Sequence, residues 1–155
     1  MTAFVSAGAG FLLAVLWFDL MFDVQACGPR RGDLPEDVLA SIAGYYRRVT
    51  TEARPMNRLV AAAMLATLVA IALQIARGPE SRGAGVVSLG LAGAPILLAG
   101  LRIVPNAVRL GARRDDVAQQ SALARAICRG HIACFASVLC LLILQLALAL
   151  RAPIR

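Results

Sequence analysis

The sequence has no lysine and few charges of any kind. All 16 basic residues are arginine, and charged residues make up 16% of the 155-residue chain, whereas soluble domains have about a quarter. Hydrophobic residues reach 59%, many of them in long runs, and the mean hydropathy is +0.73. This composition excludes a small soluble domain and predicts a single transmembrane domain over residues 1–155.

Aromatic residues are also scarce, at 5% of the chain. The net charge of +7 could indicate nucleic-acid binding, but no basic run is interleaved with aromatic residues. In a membrane protein, an arginine surplus is typical of cytoplasmic loops that face anionic lipid. We therefore expect the lipid bilayer as a partner, and no nucleic acid.

The N-terminal segment has no basic residue. The stretch Val24–Cys27 faintly resembles a lipoprotein cleavage site, but a signal peptide needs a basic start and an uninterrupted apolar stretch. Here the apolar stretch contains Asp19 and Asp23. We therefore expect this segment to be retained as a helix.

Cysteine pairs of the CxxC type are absent. The spacing of Cys27, Cys128, Cys134 and Cys140 argues against a disulfide framework, because three of the four lie in one segment. Cys128, His131 and Cys134 carry metal-ligating groups, but on one straight helix they spread over about 9 Å of rise. We therefore predict no metal site and a hydrogen-bonded interior histidine at position 131.

Sequence motifs of soluble enzymes are missing as well. The chain has no phosphate loop, no nucleophile elbow and no HExxH motif. The sequence therefore identifies no catalytic residue and no cofactor, and leaves open whether the protein is an enzyme.

Four apolar stretches reach the roughly 20 residues that a membrane-spanning helix needs. They cover about 4–24, 57–76, 85–104 and 126–150. The predicted fold is all-α, an integral membrane bundle of four transmembrane helices with a short cytoplasmic amphipathic helix between the first two.

The amphipathic helix is predicted at about 34–54. Asp33 is the expected N-cap, with Pro35 in the first turn and Glu36 three residues after the cap. The helix should end before Pro55. It should either lie on the membrane surface or run into the second span with a kink. Its expected apolar face consists of Val38, Ile42, Tyr45 and Val49.

Arginine counts predict the orientation of the bundle. The first link contains Arg30, Arg31, Arg47, Arg48 and Arg54, and the third contains Arg109, Arg113, Arg114 and Arg125. The opposite side has Arg77, Arg82, Arg151 and Arg155. We therefore expect both termini outside and the arginine-rich links in the cytoplasm.

Two acids lie inside the first apolar stretch. An unpaired aspartate within a membrane span costs about 2.5–3.5 kcal/mol. All four helices bring polar groups to the same depth, so the sequence predicts ion pairs between Asp19 and Arg102, and between Asp23 and either Arg58 or Arg129. This polar layer has eight candidate ligand-binding residues, which are Asp19, Asp23, Asn57, Arg58, Arg102, Asn106, Arg129 and His131.

Three functions are compatible with this layer. The first is a pocket at the cytoplasmic mouth for a small anionic or amphiphilic molecule, because basic groups outnumber acids there. The second is a structural or accessory subunit, in which the Asp–Arg layer only fixes helix packing. The third is a small proton-coupled transporter that uses Asp23 and His131. Four helices are few for a transporter, so the transporter hypothesis requires a homo-oligomer.

The layout of the chain resembles the anthrone-oxygenase-like family of small four-helix bacterial membrane proteins. The shared features are a long first link, a short second link and a third helix that ends in Ile103–Leu110, IVPNAVRL. The resemblance implies a bacterial inner-membrane protein that acts on a hydrophobic small molecule. It carries over no catalytic residue.

Size, basicity and inferred topology are similar to the glutathione-dependent membrane transferase superfamily of eicosanoid metabolism. Its members bind glutathione between protomers of a trimer, on cytoplasmic-side arginine and asparagine residues. The stretch Glu52–Arg58 approximates their signature at the start of the second span, but the acid after the asparagine is missing. The likeness is one of architecture only.

Overall fold

The computed structural model describes residues 1–28, 32–77 and 79–151, and these parts are helical without a strand. The α-helices of these residues are α1 (Thr2–Asp23), α2 (Glu36–Arg47), α3 (Arg54–Ala76), α4 (Pro79–Leu98), α5 (Val104–Ala112) and α6 (Val117–Arg151). A 3-10 turn, Val24–Ala26, follows α1, and π-helical segments, Arg48–Glu52 and Ala99–Ile103, precede α3 and α5. Of the arginines counted for orientation, Arg30, Arg31 and Arg155 lie outside the described residues, as does the side chain of Arg54.

Four helical stretches are long and apolar enough to cross a membrane. They are Thr2–Ala26, Pro55–Ala76, Arg82–Ala112 and Val117–Arg151, and they confirm the predicted all-α four-span fold. In the most apolar 18-residue stretch of each, only 17–22% of the residues are buried within the protein. The apolar surface that remains exposed is suited to contact with the lipid bilayer.

The third and fourth spans are longer than predicted. With 35 residues, α6 is about 52 Å long at 1.5 Å per residue, whereas the hydrocarbon core is about 30 Å thick. Its first turns therefore extend past the hydrocarbon layer, together with α5. These two segments and α2 form a separate cap at one end of the bundle.

The cap has its own hydrophobic core. Helix α2 buries Leu39, Ile42, Ala43 and Tyr46 against α5 and α6. The predicted face was wrong by about one residue, since Val38, Tyr45 and Val49 lie only at the edge of this core. The backbones of α2 and α5 touch: a Cβ added to Gly111 would lie 2.9 Å from the Arg47 amide nitrogen.

Helix α2 starts later and ends earlier than predicted. Its N-cap is Pro35 and not Asp33, and no side chain caps the helix. The chain then passes through the π-helical segment and Ala53 into α3. Helix α2 therefore ends before Pro55 as predicted, packs on α5 and runs into the second span with a kink at Ala53.

The membrane core joins α1, α3, α4 and α6. It consists of Val5, Ala9, Leu12, Ala70, Ile71, Ala92, Val138 and Leu141. Next to this core, the fully buried Gln145 donates through Nε2 to Gln74 Oε1 at 3.2 Å and to Ser88 Oγ at 2.8 Å. Buried amides need such partners because apolar surroundings offer no water.

Pro95 lies inside α4 without ending it. A proline has no amide hydrogen, so it deprives the carbonyl four residues earlier, that of Leu91, of its helical partner. Ser137 of α6 supplies the missing hydrogen bond, with Oγ donating to the Leu91 oxygen at 2.8 Å. The proline and the serine together fix the depth of α4 against α6.

Candidate functional site

The most buried charged group of the bundle is Asp23 at the end of α1. Asp23 is fully buried, and His131 of α6 is only 6% exposed. The His131 Nδ1 lies 2.6 Å from Asp23 Oδ2, and the Tyr46 hydroxyl donates to Asp23 Oδ1 at 2.5 Å. Both carboxylate oxygens therefore have partners, one from α6 and one from α2.

Asp19 lies one helical turn deeper in the bundle. It accepts a hydrogen bond from the Tyr45 hydroxyl at 2.7 Å, and its Oδ2 is 3.8 Å from His131 Nε2. The Tyr45 ring stacks on Phe22, with centroids 4.1 Å apart and planes 9° apart. We call Asp19, Asp23, Tyr45, Tyr46 and His131 the acid–histidine cluster.

The cluster places one imidazole between two carboxylates. Each nitrogen of His131 faces an acid, Nδ1 facing Asp23 and Nε2 facing Asp19. The pKa of Tyr46 is raised above its usual value, first by burial and then by the charge of Asp23. Burial and Asp19 raise the pKa of Tyr45 in the same way. Both tyrosines therefore stay protonated and act as hydrogen-bond donors.

The predicted aspartate–arginine pairs are wrong. The partners of Asp19 and Asp23 are Tyr45, Tyr46 and His131. The reason is that α2 folds back over the end of the bundle and brings both tyrosines to the acids. The arginines named as partners, Arg58, Arg102 and Arg129, are all exposed. The prediction of an interior, hydrogen-bonded His131 is confirmed.

Three of the eight candidate residues line one cleft between the α4–α5 junction and α6. Arg102, Asn106 and Arg129 border a volume of about 310 Å³. The remaining lining residues are Leu98, Ile103, Ala126, Gly130 and Ala133. We call this space the arginine cleft.

The arginine cleft exists because α6 presents small side chains there. Ala126, Gly130 and Ala133 lie along one face of the helix, and opposite them is the π-helical segment Ala99–Ile103. A Cβ on Gly130 would lie 2.9 Å from Ile103 Cγ1, so the two segments approach closely at this point. π-Helical segments widen a helix locally and are frequent at functional sites.

The remaining candidates lie elsewhere. Asn57 and Arg58 are exposed at the start of α3, where Asn57 Nδ2 donates to the Thr50 carbonyl at 3.0 Å. Asp19, Asp23 and His131 lie in the acid–histidine cluster. The eight residues predicted as one layer therefore occupy three places at the same end of the bundle.

A disulfide joins Cys27 to Cys128, although the cysteine spacing argued against a disulfide framework. Helices α1 and α6 are antiparallel neighbours, so residues that follow a contact on one helix lie beside residues that precede it on the other. Cys27 follows Asp23 by four residues, and Cys128 precedes His131 by three. The contact between Asp23 and His131 thus aligns the two cysteines, which sequence spacing alone does not reveal.

The other cysteines are free. Cys134 is buried and lies 3.7 Å from the Pro95 carbonyl oxygen, and Cys140 is exposed. Across residues 1–28, 32–77 and 79–151, no three His, Cys, Asp or Glu side chains are grouped so that they could hold a metal ion. The side chains of the C-x-x-H-x-x-C pattern have different partners, because Cys128 bonds to Cys27 and His131 binds Asp23.

Sequence reasoning missed Tyr45 and Tyr46 as site residues. They are the only tyrosines in the chain and they are adjacent, so on a helix one of them faces the core when the other lies at its edge. A buried tyrosine hydroxyl usually finds a partner, and the acids in α1 were the strongest acceptors available.

No protein-family model, no curated protein and no solved structure matches the chain. The fold and the site therefore define the class of this protein by themselves. It is a small four-span helical membrane protein with a buried acid–histidine cluster and a disulfide at one end of the bundle.

Proposed function

We propose that this protein binds an anionic amphiphile in the arginine cleft. The observation that carries the proposal is the convergence of Arg102, Asn106 and Arg129 on one volume of about 310 Å³. The two arginines come from different helical segments, so an anion between them would bridge the α4–α5 junction and α6.

The chemistry of the lining supports an amphiphile rather than a wholly polar anion. Guanidinium groups bind carboxylate or phosphate through paired hydrogen bonds, and the Asn106 amide adds a neutral donor. Leu98 and Ala133 extend the cleft toward the middle of the membrane. Leu98 and Asn106 are about 12 Å apart along the helix, so a head group and the first carbons of a tail would fit together.

We also propose that the arginine-rich end faces the cytoplasm, with both termini outside. The contacts of α2 with α5 bring the two arginine-rich links to the same end of the bundle, where Arg113 pairs with Glu36. Arginine-rich links remain on the cytoplasmic side during insertion. The arginine cleft would then open to the inner leaflet.

A binding titration tests the cleft. Purified protein in a nonionic detergent is titrated with a fluorescent fatty acid and, separately, with its uncharged alcohol analogue. We expect Arg102→Ala and Arg129→Ala each to weaken fatty-acid binding at least about tenfold, since each removes a charge-assisted contact. Arg58→Ala, an exposed arginine outside the cleft, is the matched control and should bind normally.

The alcohol analogue separates head-group recognition from tail partitioning. It should bind weakly to all four proteins. If the acid binds equally well to wild type and both cleft variants, the amphiphile proposal is wrong, and the polar groups serve helix packing as in a structural or accessory subunit.

A second candidate, proton-coupled transport, is favoured by the buried pair of Asp23 and His131. Ionisable groups inside membrane spans often mark proton pathways. In liposomes, Asp23→Asn should then abolish pH-driven flux of the transported molecule. Unchanged flux, or no flux in any form of the protein, would eliminate this candidate.

A further inference from the structure

We propose that Cys27 and Cys128 are a redox-active pair, which exchanges its disulfide with low-molecular-weight thiols at the arginine-rich end of the bundle. This activity is separate from amphiphile binding, because the disulfide lies on the face of α6 that meets α1 and the cleft lies on another face. The inference rests on three observations about the surroundings of the disulfide.

The first observation is the difference in access to the two cysteines. Cys27 is exposed just beyond the 3-10 turn that ends the first span, whereas Cys128 is completely buried. An incoming thiol therefore meets the sulfur of Cys27, and Cys128 becomes the leaving group. Thiol–disulfide exchange depends on which sulfur is accessible and on how well the other leaves.

The second observation is a contact that aligns the two cysteines independently of the bond between them. His131 follows Cys128 by three residues on α6, and Asp23 holds its Nδ1 at 2.6 Å. The charged groups facing His131 are Asp23 and Asp19 from α1, and the hydroxyl nearest to it is that of Tyr46 from α2, 3.4 Å from Nδ1. These contacts join α1 to α6 beside both cysteines, so the opened pair stays aligned and can re-form its disulfide.

The third observation is the location of the disulfide. It lies at the end of the bundle that carries the arginine-rich links, for which we propose a cytoplasmic orientation. Cytosolic thiols are kept reduced, so a disulfide on that side is normally transient and either catalytic or redox-sensing. This step of the inference rests on the proposed orientation, whereas the first two do not.

The exchange balances without a metal or a cofactor. A thiolate RS⁻ attacks Cys27 Sγ, the sulfur–sulfur bond breaks, and the electron pair leaves on Cys128 Sγ, which is then protonated by water. A second RS⁻ attacks the outer sulfur of the mixed disulfide, releases RSSR and leaves Cys27 to be protonated by water. Two RSH are oxidised to RSSR and the disulfide is reduced; the two protons that the thiols release end on Cys27 and Cys128.

The experiment uses the full chain with Cys134 and Cys140 changed to serine, so that only the pair contributes thiols. The oxidised protein in detergent is treated with anionic 2-mercaptoethanesulfonate or cationic cysteamine, quenched with acid and labelled with a maleimide polymer. We expect two thiols per chain to appear without unfolding. With rates compared per thiolate, the anionic thiol should react at least about tenfold faster at low salt, and the difference should shrink at high salt.

Variant His131→Gln tests the contact that aligns the two cysteines. In the wild type, oxidised thiol should re-form the disulfide after reduction. In His131→Gln the disulfide should re-form about tenfold more slowly, because the contact with Asp23 is lost. Circular dichroism of both oxidised proteins checks that they fold alike.

Two outcomes would overturn the proposal. One is a disulfide that resists both thiols until a denaturant is added, which is the behaviour of a structural bond. The other is a protein that keeps two free thiols after treatment with oxidised thiol. If His131→Gln does not fold, Tyr46→Phe, which removes one hydroxyl from the same acid, should slow re-formation of the disulfide by a smaller factor; an unchanged rate would refute the role of the cluster.

Discussion

At the scale of single residues, the acid–histidine cluster explains why a membrane helix contains two aspartates four residues apart. Asp23 has a histidine on one oxygen and a tyrosine hydroxyl on the other, and Asp19 is held by Tyr45. The sequence correctly located the acids and the histidine in the interior. It assigned the acids to arginines because charge complementarity is visible in a sequence, whereas the position of a neutral tyrosine depends on how α2 packs.

The two tyrosines make the cluster visible to spectroscopy. Both have a pKa raised above the usual value of about 10, by burial and by the adjacent carboxylates. As the pH rises past 10, the unfolded chain loses these two protons and the folded chain keeps them, so stability falls with increasing pH. We expect no tyrosinate absorbance until the protein unfolds, and then both groups at once.

An alkaline titration followed by near-ultraviolet absorbance and circular dichroism measures this directly. The signal is specific, because the chain has no other tyrosine. A tyrosinate signal that develops around pH 10 while the helical signal is intact would show that the hydroxyls are free.

Removing the buried hydroxyl of Tyr46 should destabilise the fold. Hydrogen bonds to charged groups contribute about 1.5–3 kcal/mol, and Asp23 is completely buried. We expect Tyr46→Phe to lower the free energy of unfolding by about that amount, measured by denaturant titration in detergent. Ser41→Ala, at an exposed position of the same helix, should be close to neutral; equal effects of the two would contradict the buried hydrogen bond.

At the scale of helices, the spans were predictable and their contacts were not. Hydropathy and length are local properties, so the four spans follow from the sequence alone. The buried face of α2 differs from the predicted one by about one residue, because α5 and α6 select the face that packs. The disulfide was missed for a similar reason, since the register of α1 against α6 is a property of the assembled bundle.

The interaction of α4 with α6 at Pro95 provides a test at this scale. Ser137→Ala removes the hydroxyl that satisfies the Leu91 carbonyl. An unsatisfied buried carbonyl costs about 1–3 kcal/mol, so this variant should unfold at lower denaturant concentration. In a Pro95→Ala background the helix supplies its own hydrogen bond, and the same serine change should cost less. Equal costs in both backgrounds would contradict the compensation.

The row of small residues on α6 provides a second test. Ala133→Trp should fill the arginine cleft from its apolar side and reduce fatty-acid binding at least about tenfold, because the tail loses its space. Ala136→Trp, also exposed on α6 but outside the cleft, is the matched control. Fluorescence titration of both variants decides the point, and equal affinities would place the ligand elsewhere.

At the scale of the whole molecule, one end of the bundle concentrates the polar chemistry. The acid–histidine cluster, the disulfide and the arginine cleft all lie where α2, α5 and the start of α6 form the cap. The opposite end is tied together by the amide group of Gln145 and its neighbours. The sequence predicted this polar end as one layer, and folding divides it into an interior cluster and a separate cleft on the surface.

The central claim is that the arginine cleft holds an anionic amphiphile, and native mass spectrometry tests it most directly. Protein extracted gently from its membrane is compared as wild type, Arg102→Ala and Arg58→Ala. We predict a discrete bound mass in wild type and in Arg58→Ala that is absent from Arg102→Ala. The same bound masses in all three proteins, or none in any of them, would contradict the claim and identify the polar end as a structural device.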